Sequence, residues 1–369
     1  MSRRVFYLFL FLYISALYYL STTLPIGPNE AKVYYTDSSV LMYLTHFANG
    51  WFGNGLDFRL PFLFFGVLNI PLFFIMSRIY CEDIEQSYLA TAIFALLPGI
   101  ITASVIVNIA VVIISLVLIF IILDEKRYRF LQGLVMIGLL LIHDASVIFF
   151  IALAIFSAFR GERKLFVVVI IFAGVSLLYF NGLDIGGKPE GRFLELFGLY
   201  VALFSPLLFI YFFYALYRIW LRERKDMLWY ISFTAFIFSI LLSLRQKVDM
   251  TDFAPYVIVS VVLMLVTYNK TIGVRLPQFQ KGYKLGYNIV VGSLILFSMV
   301  IIFHKLLFYI IDDKSKHFAY SFYKPYWIVK ELGEVDKCYT AKRKKVQFQL
   351  RYYGVKECKN SEHSIVNNQ

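Results

Sequence analysis

The stretch ASVIVNIAVVIISLVLIFIIL, residues 103–123, contains no charged side chain and is long enough to cross a lipid bilayer as a helix. A second run, FVVVIIFAGVSLLYF at 166–180, has the same character, and similar runs recur between short charged segments. Of the 369 residues, 60% are hydrophobic and 16% are charged, with a mean hydropathy of +0.70. A soluble domain is about 45–50% apolar and about a quarter charged. The pattern therefore predicts an all-α polytopic membrane protein.

The apolar runs predict about eleven transmembrane helices, and the charges between them predict the topology. Seventeen Lys and Arg residues fall in one alternating set of inter-helix segments, and only six fall in the other set. Because short cytoplasmic segments carry the excess of basic residues, the N-terminus is predicted inside and the C-terminal tail outside. The predicted spans are residues 5–24, 58–77, 87–105, 107–123, 130–143, 145–159, 165–181, 195–217, 227–244, 251–268 and 285–308.

The segment 130–159 is too short for two full spans of about 20 residues and too long for one. Basic clusters flank it on both sides, so the chain should return to the side that it left. This predicts a hairpin of two short helices with His143 and Asp144 at its tip.

The predicted domains are a transmembrane domain, residues 1–311, with a long first outer loop at 25–57, and a small extracytoplasmic α+β domain, residues 312–369. Apolar and polar residues alternate along VQFQLRY, residues 346–352, which predicts a half-buried strand. The polar end, from about residue 359, is predicted to be disordered.

Two of the three cysteines, Cys338 and Cys358, lie in this tail, where an oxidising compartment would allow them to pair. Their spacing is compatible with a disulfide and equally with two unrelated thiols. Cys81 falls in a predicted cytoplasmic segment and is expected to be a reduced thiol.

Polar groups on the predicted outer face suggest chemistry on a phosphate-linked lipid. A carboxylate can deprotonate an acceptor hydroxyl, and fixed cations can stabilise a departing phosphate. Each group also has a simpler interpretation: a solvated loop charge, the polar tip of a hairpin, or cations that meet lipid headgroups. These polar groups are Asn29 with Glu30, His143 with Asp144, and Arg245 with Lys247.

The formal charge of +12 is spread over inter-helix segments and the tail, so it does not predict nucleic-acid binding.

Three stretches resemble motifs of the GT-C superfamily of polyprenyl-phosphate-sugar-dependent glycosyltransferases, in particular the protein O-mannosyltransferase and aminoarabinose-transferase branch. PNEAKVY, residues 28–34, resembles the acidic D-E-A-x-x-Y motif in the long first outer loop of that branch. FRLPFLFFG, residues 58–66, resembles the R-L-P-x-x-x-x-G opening of its second span. LRQK at 244–247 and FAPY at 253–256 resemble its S-x-x-K and Y-x-x-P segment.

The resemblance implies a GT-C-like fold and an inverting glycosyltransferase at the outer face of the bacterial inner membrane. Such an enzyme would move a sugar from a polyprenyl-phosphate carrier to lipid A, a glycan or a protein. In this interpretation Glu30 is the candidate base, supported by Asp37, and Arg245 and Lys247 bind the donor phosphate. Two family aspartates are replaced, by Asn29 and Asn108. Further residues that would line the site are Asn29, Asn108, His143, Asp144 and Tyr256.

Other functions fit parts of the same pattern. A transporter or flippase for a lipid-linked sugar would also be polytopic, but the predicted span interiors carry almost no charge. A polysaccharide polymerase or ligase would act on the same donors, although its large functional loop usually falls late in the chain. A non-enzymatic assembly subunit is a further alternative. No metal-ligand spacing is visible, so the sequence leaves a divalent metal open and predicts no other cofactor.

Overall fold

The computed structural model describes residues 1–36, 39–180, 191–332 and 338–358. This part of the chain is helical and has no strand; its one β-type pairing is an isolated bridge between Cys338 and Lys356. The helices are α1 (Arg3–Thr23), α2 (Pro28–Thr36), α3 (Val40–His46), α4 (Leu56–Tyr80), α5 (Ile84–Leu96), α6 (Pro98–Val105), α7 (Ala110–Glu125), α8 (Arg129–Ile142), α9 (Ser146–Arg160), α10 (Arg163–Tyr179), α11 (Phe193–Phe204), α12 (Pro206–Arg222), α13 (Met227–Ser243), α14 (Met250–Ile258), α15 (Val261–Val274), α16 (Pro277–Ile302), α17 (His304–Ile310), α18 (Tyr320–Leu332) and α19 (Lys344–Tyr352).

Several of these helices are long and apolar enough to cross a membrane, which makes the chain a multi-pass membrane protein. Four qualify singly: Arg3–Thr23, Leu56–Tyr80, Met250–Val274 and Pro277–Ile302. The third of these comprises α14 and α15. The number rises to six if each of two bent pairs, α5 with α6 and α11 with α12, counts as one span. The predicted total of eleven spans therefore remains a prediction.

Proline explains both bends. The α5–α6 pair bends by 62° where Pro98 begins α6, and the α11–α12 pair bends by 105° where Pro206 begins α12. Proline has no N–H to continue the preceding helix and forces the residue before it out of the helical region. Accordingly, Leu97 has ψ 129° and Ser205 has φ 80° and ψ 150°.

The chain divides into two compact units. The first unit comprises Met1–Ile14, Phe65–Ser104 and Asn108–Ser298, and the second comprises Ser15–Phe64, Val105–Val107 and the described part of Met299–Gln369. The first unit contains the large apolar core, in which Phe73 and Phe94 stack with ring centroids 4.0 Å apart. The second unit combines the first loop with the tail, where α19 packs on α2. The predicted domain boundary after residue 311 stays a prediction.

The strand prediction for residues 346–352 is wrong, because this segment forms helix α19. Its buried positions are the adjacent residues Gln349 and Leu350, an arrangement that a helix allows and an alternating strand does not. The Gln349 amide donates hydrogen bonds to the carbonyls of Ile26, at 2.7 Å, and Ser321, at 3.1 Å. The described part of the tail is therefore helical rather than α+β. The predicted disordered end, from residue 359, lies outside the described residues.

Two cysteine predictions have structural outcomes. Cys338 and Cys358 form a disulfide across a separation of 20 residues, so the pairing that spacing left open is the one adopted. Cys81 is a free, buried thiol whose pKa is raised by that burial.

We expect a denatured, non-reduced sample to react with a single maleimide equivalent at Cys81, and a reduced sample to react with three. Mass spectrometry of the intact chain measures both numbers. Replacing Cys358 by Ser should raise the non-reduced count to two, because it frees Cys338. Three equivalents without reductant would contradict the disulfide.

Candidate functional site

A buried ion pair joins the first loop to the start of α4. The Arg59 Nη2 donates to Glu30 Oε2 at 2.6 Å, and Arg59 Nε donates to Glu30 Oε1 at 3.0 Å. The two side chains are 0% and 1% exposed. This two-point geometry is the strong form of an arginine–carboxylate contact.

The remaining hydrogen-bonding positions of the pair are also filled. Arg59 donates to the carbonyls of Ser21, Leu24 and Pro25, at 3.1, 2.6 and 2.9 Å, so all five guanidinium N–H groups have acceptors. Glu30 accepts further hydrogen bonds from the backbone N–H groups of Gly27, at 2.7 Å, and Val107, at 3.0 Å. The carboxylate thus receives two donors on each oxygen.

Two glycines permit this close packing. A Cβ on Gly27 would lie 2.5 Å from the Phe322 ring and 3.2 Å from Glu30 Oε2. A Cβ on Gly55 would lie 3.0 Å from the Ser21 carbonyl and 3.2 Å from Arg59 Nη1. The backbone can approach the ion pair only because these positions lack a side chain.

Glu30, the predicted base, is therefore enclosed by hydrogen-bond donors. Because four N–H donors occupy the lone pairs of Glu30, none is presented to a substrate hydroxyl. Its predicted support, Asp37, lies outside the described residues. Neighbouring Asn29 is exposed, and its Oδ1 accepts a hydrogen bond from Lys345 Nζ at 2.8 Å. The geometry assigns Glu30 to holding the first loop.

A second polar cluster, which we call the histidine cluster, consists of His143, Asp144 and Asp252 in the first unit. Its ligand-type atoms all lie within 4.8 Å of one another. His143 Nδ1 lies 3.0 Å from Asp144 Oδ1, and His143 Nε2 lies 3.6 Å from Asp252 Oδ1. The imidazole is 4% exposed, whereas the side chains of Asp144 and Asp252 are 69% and 34% exposed.

Local backbone positions two members of the cluster. His143 and Asp144 lie in the short break between α8 and α9, where the Ala145 N–H donates hydrogen bonds to His143 Nδ1 at 2.9 Å and to Asp144 Oδ1 at 2.8 Å. The hydrogen bond from His143 is the main reason that the pKa of Asp144 is lowered. The exposed carboxylate is therefore ionised at neutral pH. Two short helices, α8 and α9, flank His143 and Asp144 as predicted for residues 130–159, while the return of the chain to the side that it left stays a prediction.

Asp252 joins the cluster from the first turn of α14, together with Tyr256 one turn later. Asp249 starts this helix, since its Oδ1 accepts the Thr251 N–H at 3.0 Å. Tyr256 is fully buried against Phe149, and its hydroxyl has no hydrogen-bond partner among the described residues. Asp252 is not among the site residues predicted from the sequence. The available signal was its place among the charged residues that interrupt the apolar runs before α15.

The predicted phosphate-binding cations lie in the turn between α13 and α14. Arg245 is exposed, and Lys247 Nζ is 3.4 Å from Glu195 Oε1 of α11. This turn leads directly into the helix that carries Asp252. Asn108, by contrast, has a structural contact, because its Oδ1 accepts the Ala110 N–H at 2.9 Å at the start of α7.

The residues predicted to form one site thus belong to two different units of the structure. His143 and Asp144 meet Asp252 in the first unit, which also contains Asn108, Arg245, Lys247 and Tyr256, while Asn29 and Glu30 belong to the second unit. Comparison of the chain with protein-family models, characterised proteins and solved structures finds no match.

Replacing Glu30 by Gln should destabilise the protein by about 3–5 kcal/mol, because it leaves the buried Arg59 charge uncompensated. Thermal unfolding in detergent measures the change. The exposed Glu82→Gln serves as the matched control and should behave as wild type. The double replacement Glu30→Met with Arg59→Met should be more stable than either single variant. Wild-type stability of Glu30→Gln would contradict the structural role.

Proposed function

We propose that this protein is a membrane glycosyltransferase that moves a sugar from a polyprenyl-phosphate carrier to a lipid, glycan or protein acceptor. The observation that carries the proposal is the histidine cluster, which shares the start of α14 with the cationic turn at Arg245 and Lys247. An ionised carboxylate and nearby cations are the groups that such a transfer requires. The resemblance of residues 244–256 to a GT-C motif supports the same reaction.

The reaction breaks one bond and forms one bond at the sugar carbon. The acceptor hydroxyl attacks that carbon, and the bond from the carbon to the phosphate oxygen breaks. Polyprenyl phosphate leaves with the bonding electrons, and Lys247 and Arg245 stabilise its charge. The proton of the acceptor moves to Asp144. This residue suits the role because Oδ1 is held in place while Oδ2 has no hydrogen bond among the described residues.

The proposal places the enzyme in the bacterial inner membrane, with eleven spans and the chemistry at the outer face. The eleven would be α1, α4, the α5–α6 pair, α7, α8, α9, α10, the α11–α12 pair, α13, the α14–α15 segment and α16. The alternating charge of the inter-helix segments supports a cytoplasmic N-terminus. The disulfide between Cys338 and Cys358 supports an external tail, because disulfides persist in oxidising compartments.

The direct test is release of the carrier. Purified protein in nanodiscs is incubated with a panel of undecaprenyl-phosphate sugars, and free undecaprenyl phosphate is measured by mass spectrometry. We expect Asp144→Asn to slow release roughly 100-fold, since it removes the proton acceptor. A Glu30→Gln variant that folds should still release undecaprenyl phosphate. No release from any donor by wild type, with membrane extract as the acceptor source, would contradict the proposal.

Donor recognition can be tested without knowing the sugar. Lys247→Ala should raise the dissociation constant for undecaprenyl phosphate by roughly tenfold or more, because a charge-assisted contact is lost. Lys281→Ala, an exposed lysine in α16, is the matched control. Native mass spectrometry of the full chain measures binding. Equal affinity in the two variants would remove Lys247 from the donor site.

A further inference from the structure

A patch of exposed aromatic side chains lies along α3 and the turn that follows it. Tyr43, Phe47 and Trp51 recur every four residues and are 71%, 65% and 61% exposed, and Phe52 beside them is 48% exposed. A spacing of four places Tyr43 and Phe47 on one side of the helix. The Phe47 and Trp51 rings continue that side, with centroids 5.6 Å apart. We call these four residues the aromatic patch.

The other side of the same segment packs on the protein. Thr45 and Ala48, which fall between the patch residues in sequence, are fully buried. Residues 40–56 contain no Asp, Glu, Lys or Arg, so the patch carries no ionic group of its own. A contiguous exposed apolar surface of this kind marks an interaction site. Its partner must therefore be apolar at the point of contact.

Hydrogen bonds fix the patch to the start of α4. The Asp57 carboxylate, in the first turn of α4, accepts the Phe52 N–H at 2.7 Å and the Gly50 N–H at 3.2 Å. The 25 residues of α4 make a helix about 37 Å long, which exceeds the roughly 30 Å of hydrocarbon in a bilayer. The end of α4 that carries Asp57 thus reaches the boundary between hydrocarbon and water. Trp51 and Phe52 are tied to that end.

The end of α1 is held beside the start of α4. Arg59 donates hydrogen bonds to the carbonyl of Ser21, in the last turn of α1, and to that of Leu24, just after it. These residues and the aromatic patch all belong to the second unit. The patch is therefore part of a unit that contains the ends of two helices long and apolar enough to cross a membrane, and lipid surrounds such helix ends.

We propose that the aromatic patch is embedded in the lipid of the membrane that α1 and α4 cross, at the level of the glycerol groups and the upper acyl chains. Trp and Tyr concentrate at this level, because their rings are apolar while the indole N–H and the phenol hydroxyl can reach water. The lack of charge in residues 40–56 favours this layer over ionic contacts with headgroup phosphates. Helix α3 then lies along the membrane surface and anchors the first loop there. The inference does not depend on the proposed function.

The test uses the full-length protein in nanodiscs whose lipid carries bromine on the upper part of the acyl chain, where it quenches the fluorescence of a tryptophan beside it. The chain contains four tryptophans, so the emission of Trp51 is measured as the difference between wild type and Trp51→Phe. We expect brominated lipid to remove roughly half or more of this emission, relative to the same lipid without bromine. Trp51→Tyr provides a second, independent difference, and thermal unfolding verifies that both variants are folded.

Trp51 emission that brominated lipid leaves unchanged would overturn the proposal. Iodide in the aqueous phase then identifies what replaces it. Quenching by iodide would place the patch in water, whereas protection from iodide would show that protein covers it. Native mass spectrometry would distinguish a second copy of this chain from a different protein partner.

Discussion

The buried pair of Arg59 and Glu30 is the constraint on which the second unit depends. Four separate parts of the chain end or begin at this pair: the last turn of α1, the first turn of α2, the first turn of α4 and the break before α7. Placing two charges out of water costs several kcal/mol for each ion, and the cost is offset only when every donor and acceptor is satisfied. Here the guanidinium and the carboxylate are both fully satisfied.

Arginine is required for this arrangement because only a guanidinium presents five N–H groups in a fixed plane. Lysine would offer three donors from one point and could not reach the carbonyls of Ser21, Leu24 and Pro25 together with Glu30. The turn at residues 50–57, which contains Gly50 and Gly53, is likewise held by one charged side chain. The Asp57 carboxylate accepts hydrogen bonds from the N–H groups of Gly50, Phe52 and Gly53, so a charged side chain also organises residues 50–57.

The sequence predicts the helices well where apolar runs are long, and it misses contacts between distant residues. The two short helices within 130–159 were predicted from the length of the apolar segment and the basic clusters that flank it. Pro206 lies inside a predicted single span at 195–217, yet it separates two helices at 105°, which the loss of a proline N–H explains. The strand prediction at 346–352 failed because alternation over seven residues also fits a short helix when a polar residue such as Gln349 is buried.

The candidate site was harder to predict for a physical reason. Glu30 has the residue type of a general base, but only its contact with Arg59, 29 positions away, reveals that its lone pairs are occupied. Likewise, no local pattern joins His143 to Asp252. The two charged clusters differ in one respect that the sequence does not contain. In the first, every hydrogen-bonding position is filled, so the cluster can stabilise a fold but has nothing to offer a substrate.

In the histidine cluster, by contrast, the exposed Asp144 carboxylate has one oxygen, Oδ2, that makes no hydrogen bond within the described part of the chain. Both clusters combine a carboxylate with a basic side chain, and the difference between them is whether an ionised oxygen is left open to an incoming molecule.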